Sequence, residues 1–262
     1  MLNGAVLNEP CEGAIISIRN LHKRFGTQEV LDGVDLDVAS CESLVILGRS
    51  GCGKSVLLKQ ITGLISPDHG SIMFEGEDIT KFNRRKLFEM RKHFGMLFQG
   101  AALFDSMTVG ENVGLPLLKH EDKSSEEIRE IVLEKLKLIG LTDVFDSYPS
   151  QLSGGMKKRV GLARAIVMDP QVVLYDEPTT GLDPIMADVI NSLIRDLQRE
   201  LDITSVVVTH DINSAYKVAD RMTMLHEGRI IYSGSPEETR ETDNAIVRQF
   251  IEGRAEGPVR AV

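Results

Sequence analysis

No apolar run in the sequence approaches the roughly 20 residues that a membrane-spanning helix needs, so no segment is expected to cross a bilayer. There is no dense basic block either. The formal charge is −9, which argues against a nucleic-acid partner, because non-specific binding depends on Lys and Arg neutralising phosphates. The same balance argues against direct electrostatic adhesion to anionic lipid. The three cysteines, Cys11, Cys41 and Cys52, show neither metal nor disulfide spacing, and a reducing cytoplasm is the simplest home. Met1 to Gly13 lacks the charged-then-apolar pattern of a secretory leader, carries Glu9 and Glu12, and is expected to be a flexible lead-in over 1–13. No internal repeat is present. The 262 residues can bury a full core, as one large domain or two small ones.

What is present begins with Gly48-Arg49-Ser50-Gly51-Cys52-Gly53-Lys54-Ser55, which follows the apolar run Leu44 to Leu47 and precedes a predicted helix from Ser55 to about Leu64. The pattern is that of a phosphate-binding loop. Gly48, Gly51 and Gly53 allow a turn tight enough for backbone N–H groups to converge on one anion. The helix start adds free donors and the positive end of its dipole. Lys54 can then reach outer phosphates, and the Ser55 hydroxyl can ligate Mg2+.

Elsewhere the patterning alternates between sheet and helix. Ile15 to Asn20 reads as a strand, Phe25-Gly26 as a turn, and Val34 to Val38 alternates with period two, as in an antiparallel layer with one wet face. Leu44–Leu47 is apolar throughout, as in a strand covered on both faces. Ser71 to Phe74 is read as a return to the antiparallel layer, followed by a charged helix near 83–92 and a strand ending at Gln99. From 100 to 168 the composition turns helical. A short helix is expected at Val109–Leu118, limited by Pro116, a stronger one over 125–139, and another after Leu152-Ser153-Gly154-Gly155. Strands are predicted at 171–176 and Thr204–Thr209, a helix at Pro184–Glu200 with Asp183 as N-cap, and a hairpin at 221–233. The last dozen residues read as a flexible tail.

Asp176 and Glu177 emerge at the carboxyl end of a buried strand, where α/β sheets bind ligands. Downstream of a phosphate loop, Asp176 fits a magnesium holder and Glu177 a group that polarises the attacking water. Ser153-Gly154-Gly155 at a helix start makes a second anion site, and Lys157, Lys158 and Arg159 follow it. Those three bases read either as anion ligands or, more simply, as a solvated basic face.

The phosphate loop, Gln99, Leu152-Ser153-Gly154-Gly155-Met156, Asp176-Glu177-Pro178, Gly181-Leu182-Asp183 and His210 occur in the order found in ATP-binding-cassette (ABC) ATPase subunits, which this chain resembles from about Ile15 to Glu238. The resemblance implies an α/β P-loop NTPase of the ABC type, with a central mainly parallel sheet, an antiparallel β subdomain and an inserted helical subdomain. It implies an ATPase domain over 14–240, with a helical subdomain at about 100–168, and a C-terminal helix and tail over 241–262. ATP and Mg2+ are the implied ligands. A head-to-tail dimer would pair the phosphate loop of one copy with Ser153-Gly154-Gly155 of the second. On that reading Phe25 stacks on adenine, Gln99 senses the metal and the attacking water, Asp183 links the two sites, and His210 contacts the γ-phosphate. Duller roles stay open: Phe25 as core, Asp183 as a cap, His210 as a satisfied turn histidine. Four positions depart from the family pattern, with Phe25 for tyrosine, Met156 for glutamine, Ser55 for threonine, and Cys41 for a glycine whose turn is expected to be strained or differently shaped.

Gly95 to Met107 and the segment from Val247 to Val259 are similar to the ATPase of the Mla (maintenance of lipid asymmetry) family. That likeness implies phospholipid transport powered from the cytoplasmic face of a bacterial inner membrane. The implied partners are an integral-membrane permease, an MCE-domain lipid-binding protein and a small STAS-domain protein. Ala101-Ala102-Leu103-Phe104 is the candidate contact for a permease helix, with burial inside the helical subdomain as the alternative. A small-solute importer would use the same ATP chemistry. A soluble cassette protein acting on DNA or ribosomes is the reading from a different class.

Overall fold

The computed structural model describes residues 13–259. The chain opens with β1 (Ala14–Phe25), β2 (Gln28–Ala39) and β3 (Ser43–Leu47), followed by α1 (Lys54–Ile61), β4 (His69–Phe74) and β5 (Glu77–Asp78). Next come α2 (Arg84–Met90), β6 (Phe94–Leu97), α3 (Val109–His120), α4 (Ser125–Leu138) and α5 (Gly154–Ile166). The last part holds β7 (Val172–Asp176), α6 (Pro184–Glu200), β8 (Thr204–Thr209), α7 (Ile212–Val218), β9 (Arg221–His226), β10 (Arg229–Gly234), α8 (Pro236–Glu241) and α9 (Ala245–Ile251).

The strands form two sheets. An antiparallel one has the order β2-β1-β4-β5, and a six-stranded one has the order β10-β9-β3-β8-β7-β6. In the second, β9, β3, β8, β7 and β6 run parallel, and β10 folds back antiparallel on β9. Every residue of β3, β7 and β8 is buried, the signature of strands covered on both faces. One face of the parallel sheet packs with the antiparallel layer and α1 through Leu44, Ile46, Leu57, Leu174 and Val206. The other face packs on α3 to α6 through Val45, Leu47, Val160, Tyr175, Ile190 and Val207.

Several boundaries differ from the sequence expectations. β1 runs on to Phe25 instead of ending near Asn20, because register shifts in its pairing with β2 absorb the broken alternation. α3 passes through Pro116 and ends at His120. Val109, Val113 and Leu117 are each at most 2 % exposed, and burial at about 1.5–3 kcal/mol per side chain outweighs the roughly 3 kcal/mol that an interior proline costs. α7 and α8 have no counterpart in the predicted elements. Both are short, and α7 depends on its Asp211 cap, which accepts from Asn213 N–H.

Near the end of the chain the Gln249 side chain donates to the Val259 carbonyl at 2.7 Å and accepts from its N–H at 2.8 Å. The tail is thereby held as far as Val259, where a flexible one was expected, and residues 260–262 of it lie outside the described residues. Cys41 takes φ 57, so of the two expectations for a residue replacing glycine, a strained turn or a differently shaped one, the strained turn is found. Gln198 donates to its carbonyl, and its own N–H donates to Thr204 Oγ1. Apart from Gly13, the expected lead-in over 1–13 lies outside the described residues.

The segment between β6 and α3 is pinned by one fully buried side chain. Asn112 Oδ1 accepts from Phe104 N–H, and its Nδ2 reaches the carbonyls of Phe104, Met107 and Thr108. Asn112→Ala should cost about 2–4 kcal/mol of stability, since it leaves several buried backbone groups without partners. Chemical denaturation reads this, and a loss below about 1 kcal/mol would show that the loop is held by other contacts.

Candidate active site

Parallel pairing sets the site. Leu47 is in register with Thr209, and Asp176 with Val208, so β3, β7 and β8 deliver their carboxyl ends to one rim of the sheet. From that rim the phosphate loop, Asp176-Glu177 and His210 emerge together. The loop folds tightly because its glycines let it. A Cβ on Gly48 would stand 2.5 Å from the Leu225 carbonyl oxygen and 2.6 Å from Cys52 Sγ. Gly53 has φ 109, and a Cβ there would lie 2.8 Å from the Val30 carbonyl oxygen. Burial pushes the Cys52 thiol above its ordinary pKa, the nearby Lys54 only partly opposing, so at neutral pH this group is a protonated packing atom.

Within the loop, Lys54 Nζ donates to the carbonyls of Gly48 at 2.7 Å and Arg49 at 3.1 Å, and lies 3.5 Å from Glu177 Oε1. Ser55 Oγ donates to Asp176 Oδ1 at 2.9 Å. Glu177 is 8 % exposed and takes φ 50, a conformation that turns its side chain out of strand direction at a cost of about 1–3 kcal/mol. Its N–H donates to the Val208 carbonyl, its Oε2 accepts from Thr180 Oγ1 at 3.1 Å, and His210 Nδ1 lies 2.8 Å from the same oxygen. Gly51, Gly53, Lys54, Ser55, Gln99, Glu177 and His210 line one cavity of about 360 Å³. A neighbouring cavity of about 780 Å³ is bounded by Arg49, Ser50, Gly51 and Cys52 on the loop side. An ammonium, a hydroxyl, a carboxylate, an amide and an imidazole thus converge on a concave surface, with the Asp176 carboxylate bonded to the Ser55 hydroxyl, a set suited to binding a polyphosphate with a cation and placing a water against it.

Residues 31–180 match the ABC transporter family. The chain belongs to that family. It is 41% identical over 246 residues to the intermembrane phospholipid transport system ATP-binding protein MlaF of Haemophilus influenzae, covering 94% of this chain and 93% of that one. It is 44% identical over 247 residues to a probable ribonucleotide transport ATP-binding protein of Mycobacterium leprae, covering 94% of this chain and 71% of the relative. Among solved structures, cbiO1 of Clostridium perfringens, part of an ABC transporter complex, superposes with a TM-score of 0.81 at 32% identity, over 93% of this chain and 96% of that one. A dimeric post-hydrolysis state of the cassette MJ0796 bound to ADP and Pi superposes with a TM-score of 0.78 at 33% identity, over 84% of this chain and 98% of that one. The chain is an ABC ATPase with the α/β P-loop fold, the ATP-hydrolysing subunit of a transporter.

In this ABC subunit three of the expected site elements stand apart from the cavity. Phe25 ends β1 with its ring 48 % exposed and Lys23 Nζ 5.4 Å from the centroid, so it is not a core residue. Ser153 and Gly154 are exposed at the start of α5, where Ser153 Oγ accepts from Met156 N–H. Asp183 caps α6 by accepting from the N–H groups of Ile185 and Met186, both at 3.0 Å.

Sequence reasoning missed Lys158, which it left in a solvated basic face. Lys158 is buried, and its ammonium donates to the Gln99 carbonyl and, at 3.3 Å, to the Glu177 carbonyl. Burial pulls its pKa down, with Glu177 and Asp176 opposing. It ties α5 to both the Gln99 loop and the Glu177 turn. The only signal in the sequence was its helical spacing with Gly155, Leu162 and Ala165, which places it on the buried face. Lys158→Met should keep the fold and ATP binding but lower kcat about 10–100-fold, the cost of misplacing a reacting group. Steady-state kinetics with a separate nucleotide-binding titration reads this, and an unchanged kcat would show that the ammonium serves packing alone.

Proposed function

We propose that this ABC subunit powers phospholipid movement across a bacterial envelope, working as a head-to-tail pair on the cytoplasmic face of the inner membrane. The observation that carries the dimer is the split of the site. Lys54, Ser55, Glu177, Gln99 and His210 gather in one cavity, with Asp176 bonded to Ser55, whereas Ser153 and Gly154 open to solvent elsewhere on the surface. The glycine-rich start of α5 then caps the phosphates held by a second copy, and Asp183 lies between the two sites. Phe25, exposed at the end of β1, presents an aromatic face to the adenine.

For hydrolysis, Gly48 to Ser55 hold the phosphates through loop N–H groups and the Lys54 ammonium, which gives up its carbonyl partners as substrate enters. Ser55 and Asp176 are already side by side and fit a magnesium ion, which would neutralise charge on the phosphoryl oxygens. Glu177 accepts hydrogen bonding from the attacking water and orients it, His210 positions Glu177 and meets the γ-phosphate, and the Gln99 amide would keep that water and a bound magnesium ion in reach. Glu177→Gln keeps the shape and removes the charge. It should lower turnover by at least about 100-fold and leave an ATP-dependent dimer detectable by size-exclusion chromatography. Near-normal turnover would overturn this role for Glu177.

Among the described residues no helix is long and apolar enough to cross a membrane, so transport requires a permease partner. The contact offered to it is the loop after Gln99. Ala101 is buried, Ala102 is exposed, and both take positive φ; Arg164 donates to their carbonyls at 2.6 and 2.7 Å. The turn so held leaves Phe104 50 % exposed. An MCE-domain protein and a STAS-domain protein complete the assembly on this reading.

The near full-length match to the Haemophilus protein favours phospholipid over the alternative, a small-solute transporter, which the mycobacterial relative's name favours. Expressed with its native operon partners, the subunit should co-purify with an integral-membrane permease and bound phospholipid, and Phe104→Asp should lose the permease while keeping intrinsic ATPase activity. A permease that arrives without lipid and whose substrates stimulate ATP hydrolysis only as nucleotides would establish the alternative.

A further inference from the structure

A second cluster of ligand-type side chains lies outside the ATP cavity, on the β1–β2 pair. His22 Nδ1 stands 3.6 Å from Glu29 Oε1 and 3.5 Å from Asp32 Oδ1, and the three ligand atoms all lie within 4.8 Å of one another. In a regular strand residues 29 and 32 would point to opposite faces, because side chains alternate with period two. Two irregularities in the pairing bring them together. His22 is in register with Asp32 and Arg24 with Glu29, with shifts between Leu21 and His22 and between Lys23 and Arg24. Bulges are how a sheet re-aims a side chain.

Each of the three groups is also oriented from behind. Asn20 Oδ1 sits 3.0 Å from His22 Nε2 and accepts its proton, so the imidazole turns Nδ1 toward the carboxylates. Arg229 holds Asp32 through Oδ2, at 2.6 and 2.9 Å, and leaves Oδ1 facing the histidine. Arg24 approaches Glu29 Oε2 at 3.5 Å and leaves Oε1 facing it likewise. A ring nitrogen and two carboxylate oxygens, each with an outer partner on its other atom, is the donor pattern of a metal centre with its supporting groups. Four ligands bound to zinc at about 2.0–2.2 Å stand about 3.3–3.6 Å apart, and the two His22 separations fall in that interval.

We propose that His22, Glu29 and Asp32 bind a divalent transition-metal ion of the zinc class, with water as the fourth ligand. All three sit on the strand pair that carries Phe25 at its tip and Val30 at the wall of the ATP cavity. A bound ion cross-links β1 to β2 three residues from the aromatic ring proposed to receive adenine. The ion belongs to a structural site on the nucleotide-binding face, separate from the magnesium position at Ser55 and Asp176.

Cobalt(II) is the probe, added to the full-length, chelator-treated, nucleotide-free protein. Four-coordinate cobalt absorbs intensely in the visible, six-coordinate cobalt at a magnesium-type site absorbs weakly, and cobalt on a cysteine adds thiolate charge-transfer bands. We expect one equivalent to give the four-coordinate spectrum without thiolate bands, zinc to displace it, and His22→Ala to weaken binding beyond the roughly 10–100-fold that losing an outer partner costs. Glu29→Gln, at an exposed position, should weaken it similarly, with circular dichroism confirming the fold of both variants. No four-coordinate spectrum, a spectrum with thiolate bands, or one that survives either substitution would overturn the proposal.

Discussion

The register of three buried parallel strands is the constraint on which the remainder depends. β3, β8 and β7 lie side by side with no polar face, so a slip of one residue would turn Leu44, Ile46, Val206 and Leu174 out of one core and into the other. The resulting penalty locks the strand ends in line. Because they are in line, Ser55 meets Asp176, and Glu177 meets both Lys54 and His210, although these residues are far apart in the chain. The chemistry is a by-product of apolar packing several residues away.

On that rim, charge is balanced inside the site before any ligand arrives. Lys54 is surrounded by loop carbonyls and the Glu177 carboxylate, and Glu177 is surrounded by Lys54, His210 and two hydroxyls. A buried ammonium and carboxylate in such surroundings are held in position by protein partners. On the proposed function, entry of a phosphate would exchange one set of partners for another. Lys158 works from beneath in the same way, an ammonium with backbone carbonyls as its partners, and connects the start of α5 to the Gln99 and Glu177 turns. Any force on α5, from a second subunit or from a permease, therefore has a short physical route to the Glu177 turn.

The periphery shows how the same fold spends its irregular backbone. Ala101, Ala102, Cys41 and Glu177 all adopt left-handed conformations without being glycine, and each is over-determined by hydrogen bonds from other elements. Arg164 and Asn112 fix the loop that displays Phe104, Gln198 and Thr204 fix the Cys41 turn, and Lys158 with Val208 fixes Glu177. Bulges in β1–β2 do the equivalent for His22, Glu29 and Asp32. In each case a strained or shifted segment aims a side chain that regular structure would have pointed elsewhere.

Much of this was legible in the residues. Continuous apolar runs marked β3, β7 and β8, because strands buried on both faces have no room for polar side chains. Pro184 after Asp183 marked the start of α6, because a missing N–H and a capping carboxylate suit that position only. The spacing of the phosphate loop and of Asp176-Glu177 placed them at strand ends, where the structure has them, because local backbone geometry is sufficient to form such a turn and to set carboxylates at the end of a strand. Tertiary structure decided the rest. Whether α3 survives Pro116 depends on burial of Val109, Val113 and Leu117 against other elements. Whether Lys158 is solvent-facing or buried depends on which side of α5 meets the sheet, and whether Glu29 joins His22 and Asp32 depends on a pairing register. Those outcomes turn on contacts between segments far apart in the chain, and a linear pattern carries no energy for contacts it does not contain.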